Sequence, residues 1–321
     1  MNERLLQVSD LTVKFAFRHK DLTAVNHVSF NLRKGERMGL VGESGAGKSV
    51  TGFALINLVS KPGRITSGSI LFQDRELIGL TDEEMRRIRG NDISMIFQDP
   101  MMTLNPVITI GSQMVETLFA HKNITAAEAE KIALDKLRKV HIPSPERRLK
   151  QYPFELSGGM RQRVVIAIAL LTSPNLIIAD EPTTALDVTI QAEIMELLLE
   201  LCETEHMGLI LITHDLAVVS QVTQKISVMY AGRIVESGPT ERIVNQPLHP
   251  YTQGLLAALP QEKSRGRRLN QIPGVMPGLL AIPKGCAFHN RCGLADTICR
   301  EIVPELVEKK AGGMAACHMV E

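Results

Sequence analysis

The chain has 321 residues, 44% hydrophobic and 22% charged, a globular balance in more length than one compact domain usually needs. Lys and Arg number 36 against 35 Asp and Glu, a formal net charge of +1, so the charge balance points to no nucleic-acid or acidic-lipid partner. The longest apolar run, VVIAIALL, is far short of the ~20 residues of a spanning helix, and MNERLLQVSD lacks the basic start and apolar core of a secretory signal.

The expectation is a soluble or peripheral protein of the cytosol. In chain order, LQVSDLTVKF and VNHVSFNL alternate and predict a small antiparallel sheet. RMGLVG, DISMIF, NLIIAD, LILIT and KISVMY are short apolar runs that read as strands. Helical patterns lie between them: AAEAEKIALDKLRKV and IQAEIMELLLELCETE repeat apolar residues at three- and four-residue steps. Near-continuous apolar strands separated by helices predict an α/β layered fold. From about Thr103 to Glu155 the strand signal is absent, which predicts an inserted helical region. After HPYTQGLLAALP (249–260) the composition shifts to Pro, Gly and Cys, and a boundary is expected near residue 250.

GESGAGKS, residues 42–49, fits G-x-x-x-x-G-K-[ST] in full. RMGLV before it reads as a strand and KSVTGFALINLV after it as a helix. Gly42, Glu43, Ser44, Gly45, Ala46 and Gly47 would then turn backbone N–H groups inward on an anion at a helix N-terminus. Lys48 would reach the β- and γ-phosphates and Ser49 would hold Mg²⁺. A chance match in a chain of this size is on the order of one in a hundred. A dinucleotide loop fails, because G-x-G-x-x-G counted from Gly45 ends on Val50. NLIIADEP (175–182) closes an apolar strand with two acids. Asp180 suits a magnesium partner and Glu181 the orientation or deprotonation of an attacking water.

With LSGGMRQR (156–163) the sequence resembles the nucleotide-binding subunit of an ATP-binding-cassette (ABC) transporter, nearly end to end. The resemblance implies a P-loop NTPase cassette: a RecA-like core, an N-terminal antiparallel β-subdomain, a helical subdomain and a small Cys-rich C-terminal extension. Residues 1–98 and 158–250 would form the ATP-binding core, 99–157 the helical signature subdomain and 251–321 the extension. Ser157, Gly158 and Gly159 would cap a helix and contact ATP held by a second cassette. Phe15 would stack on adenine, with Phe17 as the competing aromatic. Gln98 would touch Mg²⁺ and sense the γ-phosphate, Asp187 would lie at the cassette interface, and His214 would contact the γ-phosphate. Thr184 stands for the family's usual serine and Met160 for its commoner glutamine.

The tail, with GCAFHNRC and ACH, and the segment IFQDPMMTLNP resemble the oligopeptide/dipeptide importer ATPases. That implies an ATPase driving uptake of short peptides, with nickel, glutathione or opine import as the alternative cargo. It also implies two permease subunits, a second and different ATPase subunit, an extracytoplasmic peptide-binding protein, no nucleic acid, and a peripheral place on the cytoplasmic face of the inner membrane. Residues 99–106 would dock the permease. Cys286, Cys292, Cys299 and Cys317, spaced C-x₅-C-x₆-C-x₁₇-C, are read as ligands of a [4Fe–4S] cluster or a zinc ion, or as plain reduced thiols. His289 and His318 lie near them. A non-transport ATPase of DNA repair or translation is the rival function, and a metal-binding module with an inactive cassette a third. One phosphate loop, no long heptad run and the presence of Lys48, Asp180, Glu181 and His214 argue against both.

Overall fold

A computed structural model describes residues 4–18, 20–184, 186–259, 270–310 and 312–320. Ala185 of the TALD segment and Pro260 of the tail motif lie outside the described residues.

Two long strands come first, β1 (Arg4–Phe17) and β2 (Lys20–Arg33), then β3 (Arg37–Val41), which runs through the Gly-rich loop into α1 (Lys48–Leu55). Next come β4 (Gly63–Phe72), β5 (Arg75–Glu76), α2 (Asp82–Ile88) and β6 (Ile93–Ile96). Helices alone fill the following stretch: α3 (Pro100–Thr103), α4 (Ile110–His121), α5 (Ala126–Lys139), α6 (Pro145–Arg148) and α7 (Gly158–Ala169). The sheet resumes with β7 (Leu176–Asp180), α8 (Val188–Glu205), β8 (Gly208–Thr213), α9 (Leu216–Val222), β9 (Lys225–Tyr230) and β10 (Arg233–Pro239). The last part holds α10 (Thr240–Asn245), α11 (Pro250–Ala257), α12 (Thr297–Glu301), β11 (Val307–Glu308) and β12 (Met314–Ala315).

The strands form two sheets. A four-stranded antiparallel sheet has the order β2-β1-β4-β5, and an eight-stranded sheet the order β11-β12-β10-β9-β3-β8-β7-β6. Its run β9-β3-β8-β7-β6 is parallel, while β10, β12 and β11 are antiparallel. Every residue of β7 and β8 is buried, as unbroken apolar runs require of strands covered on both faces. The antiparallel sheet expected at the N-terminus is present, and the region without strand signal is helical. There α5 starts at a capping box: Thr125 Oγ1 accepts from the Glu128 N–H at 3.3 Å, and the Glu128 carboxylate accepts from the Thr125 N–H at 2.8 Å. It buries Ala129, Ala133 and Leu137 toward the core.

Two local expectations change. The helix after the phosphate loop stops at Leu55 instead of running through INLV, and Asn57 turns the chain away at φ 51°. Strands β4 and β10 escape the sequence patterns. GRITSGSILF is diluted by Gly and Ser, and RIVESGP hides a polar residue, Glu236, in its buried run.

The tail is stitched to the large sheet. Glu236 is fully buried, and its carboxylate accepts from the backbone N–H groups of Leu248 (2.7 Å) and His249 (2.8 Å) and from Arg242 Nη1 (3.0 Å). A buried carboxylate needs such donors. His249 Nδ1 in turn accepts from the Tyr251 N–H at 3.1 Å and caps α11. Tyr230, Tyr251 and Phe288 meet edge-on or tilted, with ring centroids 4.7 to 5.4 Å apart. Such pairs add about 0.5–1.5 kcal/mol each beyond their burial. Tyr251 and Phe288 belong to the same buried cluster as β7, β8 and β9.

Burial pushes the His249 pKa down to about 4, against a smaller opposing pull from a backbone hydrogen bond at Ala316. Its proton is therefore bound in the unfolded chain and refused in the folded one between pH about 6.5 and about 4, so stability falls as pH falls through that window. Denaturant unfolding should show up to ~3 kcal/mol of loss over this range. His249→Asn, which keeps a cap acceptor and removes the titration, should flatten the profile.

Candidate nucleotide-binding site

The phosphate loop leaves β3 at the carboxyl edge of the parallel strands and closes on the start of α1. Gly47 sits at φ 102°, and a Cβ there would lie 2.7 Å from the Ala24 carbonyl oxygen, so both conformation and space demand glycine. The Lys48 ammonium, 4% exposed, folds back into the loop and donates to the carbonyls of Gly42 (2.8 Å) and Glu43 (3.0 Å). Burial lowers its pKa, while the carboxylates of Glu181, Asp180 and Glu43 pull it back up.

Beside it Ser49 Oγ donates to Asp180 Oδ1 at 2.9 Å. Asp180 is buried at the end of β7, and burial raises its pKa despite the Ser49 hydrogen bond. A hydroxyl and a desolvated carboxylate at a strand end form a donor set that fits a hard divalent cation, whose charge would favour the ionised carboxylate. Glu181 follows at φ 45°, its N–H donating to the Ile212 carbonyl at 2.8 Å. Its carboxylate gathers three polar groups: Gln98 Nε2 at 3.1 Å, Thr184 Oγ1 at 2.8 Å and His214 Nδ1 at 3.5 Å. Gln98, Glu181, His214, Lys48 and Ser49 thus face one cleft of about 1030 Å³.

Phe15 lines that cleft with Glu43, Ser44, Gly45 and Gly47. Phe17 does not: it is 40% exposed, with the Arg18 guanidinium 5.5 Å from its ring centroid. A Cβ on Gly63 would come within 2.6 Å of the Phe15 ring, so this glycine leaves room for the aromatic. Ser157, Gly158, Gly159 and Asp187 lie away from the cleft. Ser157 caps α7 by accepting from the Met160 N–H at 3.3 Å, and Asp187 caps α8 by accepting from Ile190 N–H at 3.0 Å. On the surface expected to meet a permease, Met101 is 48% and Met102 86% exposed while Pro100 is buried.

Several groups at the cleft carry no sequence motif for it. Leu255 and Met276 to Leu279, from the C-terminal part, form one of its walls. Arg291 pairs with the Glu43 carboxylate, and the Tyr251 hydroxyl accepts from the Glu43 N–H at 2.8 Å. Only the placement of a tail arginine against an acid inside the phosphate loop reveals these contacts.

Cys286, Cys292, Cys299 and Cys317 are free thiols that line one small pocket with His249, His289 and His318. Burial raises the pKa of Cys286 to about 11 and those of Cys292 and Cys317 in the same direction. His289 Nδ1 is 2.8 Å from the Cys286 carbonyl and His318 Nε2 3.0 Å from that of Ile302. Among the described residues no group of three or more His, Cys, Asp or Glu side chains is arranged to hold a metal ion. The expected metal centre has converging donors but no coordination geometry. Cys202 is buried far along the chain, in the core cluster, its pKa raised by burial to about 12.

Comparison with known proteins decides the family. The ABC transporter profile matches residues 25–184, and the profile of the oligopeptide/dipeptide transporter C-terminal region matches residues 235–299. The oligopeptide transport ATP-binding protein OppD of Escherichia coli (strain K12) is 50% identical over 98% of this chain and 93% of its own length. The chain belongs to the ABC transporter ATPases. The dipeptide transport ATP-binding protein DppD of Haemophilus influenzae is 48% identical, covering 94% of this chain and 92% of that protein. Among solved structures, the ATP-binding cassette MJ0796, dimeric and bound to ADP and Pi after hydrolysis, superposes with a TM-score of 0.64 at 28% identity. It covers 74% of this chain and 99% of its own. The cassette fold and the ATPase class expected from the sequence are therefore those of this chain. Among the described residues no helix is long and apolar enough to cross a membrane.

Stacking on an aromatic is worth ~1–3 kcal/mol per base. Phe15→Ala should accordingly weaken Mg·ATP binding by about tenfold or more in a fluorescence titration, whereas Phe17→Ala should leave it unchanged.

Proposed function

We propose that this ATPase energises the uptake of short peptides through a membrane importer. The observation that carries the reading is the pairing of a cassette with an oligopeptide/dipeptide transporter C-terminal region, at 50% identity to a protein named for oligopeptide transport. Two permease subunits, a second ATPase of different sequence and an extracytoplasmic peptide-binding protein complete the assembly. The chain then sits peripherally on the cytoplasmic face of the inner membrane. Residues 1–98 and 158–250 serve as the ATP-binding core, 99–157 as the helical subdomain and 251–321 as the extension.

Hydrolysis in such a site is positioning and electrostatics. The loop from Gly42 to Gly47 holds the triphosphate through backbone N–H groups other than those of Glu43 and Ala46, which Tyr251 and the Glu43 carbonyl take, and Lys48 exchanges its two loop carbonyls for phosphate oxygens. Ser49, Asp180 and Gln98 would hold Mg²⁺, which when bound would neutralise phosphate charge. Glu181 orients the attacking water and accepts its proton, with Thr184 and Gln98 fixing the carboxylate and His214 facing the γ-phosphate. Supporting this division is the convergence of all three on Glu181, whose left-handed backbone aims its side chain into the cleft. Phe15 stacks on the base. Ser157, Gly158, Gly159 and Asp187, remote from this cleft, serve the nucleotide of the second cassette. The exposed methionines at 101 and 102 receive the permease.

In the importer reconstituted in vesicles, peptide-loaded binding protein should stimulate ATP turnover. Glu181→Gln should lower kcat by about 100-fold or more while retaining ATP. Stimulation by no peptide, or wild-type turnover in the variant, would overturn the reading.

We further propose that Cys286, Cys292, Cys299 and Cys317 hold a [4Fe–4S] cluster, with zinc as the competing occupant. Four thiols lining one pocket support it. Anaerobically purified protein should show iron and sulfide in equal amounts with a visible absorption band; zinc alone would transfer the site to that ion.

A further inference from the structure

We propose that Arg291 is a positioning residue of the nucleotide site: it fastens the C-terminal extension onto the phosphate loop through Glu43 and so fixes the loop in its binding shape. The inference rests on the reading that this loop binds Mg·ATP.

The contact is built rather than incidental. The Arg291 side chain is 5% exposed and forks onto both oxygens of the Glu43 carboxylate, Nη1 to Oε2 at 2.6 Å and Nη2 to Oε1 at 2.9 Å. Its Nε donates to the Pro273 carbonyl at 2.9 Å, and the guanidinium lies 5.8 Å from the Tyr230 ring centroid and 5.9 Å from that of Phe288. A planar fork bonded at Nε, Nη1 and Nη2 and set beside two rings is held in orientation, and it passes that orientation to the carboxylate it grips.

Glu43 is the second residue of the phosphate loop, and the chain holds it at three points. Its N–H donates to the Tyr251 hydroxyl, its carboxylate takes Arg291, and its carbonyl accepts from the Lys48 ammonium at 3.0 Å. The first two anchors come from the extension, and the third is the cation that must turn to the phosphates. The Gly42–Glu43 peptide, whose carbonyl also accepts from Lys48 at 2.8 Å, is thus held from outside the loop through its N–H, while the Glu43 carbonyl accepts from Ala46 N–H within the loop at 3.2 Å. The Pro273 anchor does a second job. Three residues further on, the Met276 methyl lies 3.1 Å from where a Cβ on Gly45 would stand, so the same arginine holds a wall of the cleft against the loop. Arg291 itself does not line the cleft. It acts on nucleotide only through Glu43 and the 273–279 segment.

A mere brace would affect stability alone. A positioning residue changes ATP affinity in protein that is still folded, and it does so jointly with Glu43. The test uses the purified full-length chain with Mg·ATP as probe: wild type, Arg291→Met, Glu43→Gln, the double variant and Arg291→Lys. Each single variant should raise the Kd for Mg·ATP about tenfold in protein whose circular dichroism and unfolding midpoint show it folded. The double variant should be no worse than either single, because both remove one interaction. Arg291→Lys, a point charge without the fork, should recover only part of the loss. Glu43→Gln keeps the test decisive if Arg291→Met fails to fold, since it alters a partly exposed, isosteric side chain. Wild-type affinity in folded Glu43→Gln or Arg291→Met protein, or losses that add in the double variant, would overturn the proposal. Lys48→Ala separates the two readings. If it binds Mg·ATP as well as wild type, the nucleotide assignment falls and the clamp falls with it. If it alone loses binding, only the clamp is wrong.

Discussion

One buried ammonium organises the site. Lys48 is withdrawn from water at the foot of a helix; burial lowers its pKa, and the carboxylates of Glu181, Asp180 and Glu43 oppose that while two peptide carbonyls accept from its ammonium. Burial and Glu181 in turn raise the Asp180 pKa, against the Ser49 hydrogen bond and Lys48. The cluster sets three carboxylates against one ammonium. That imbalance is tolerable where further cations and phosphate oxygens can rearrange it, and it explains why these residues sit at one strand edge. The two sheets, the helix behind the loop and the turn at Glu181 all keep that small group of charges in register.

Much of this was legible in the residues. GESGAGKS between an apolar strand and a helix, and NLIIADEP ending in two acids, each carry their chemistry in a few consecutive positions. Local patterns of that sort survive without any knowledge of the fold. The five parallel strands were legible for the same reason: burial on both faces leaves an unbroken apolar run. Strands β4 and β10 were not, because a Gly- and Ser-rich edge and a buried glutamate blur the alternation. The end of α1 was overrun because nothing in INLV announces that Asn57 adopts a left-handed turn. Least visible were the partners of Glu43. Arg291 lies 248 positions along the chain and Tyr251 lies 208, and no spacing rule links an arginine beside a cysteine to an acid in a phosphate loop. Long-range pairs of this kind are fixed by tertiary packing alone.

The tail segment HPY gains a physical meaning from the same contacts. His249 caps its own helix, Pro250 opens it, and Tyr251 sends its hydroxyl to the phosphate loop. Glu236 holds the approach to that turn from beneath. The segment is thus less a decoration on the cassette than a brace between the sheet, the cysteine-lined pocket and the nucleotide loop. The cysteines share this framework: Cys292 follows Arg291 directly, so whatever orders the thiols also orders the guanidinium beside them.

Strand β12 has a quieter role. Only two residues long, it pairs with Glu236 and Ser237 of β10, and the equally short β11 lies outside it. Those few rungs occupy ladder positions that would otherwise be free at that flank of the central sheet. A shortened chain ending before residue 300 would leave a ready template for another molecule's strand. Stickiness, more than lost chemistry, is then the first handicap of a trimmed version, and solubility is bound up with the last twenty residues.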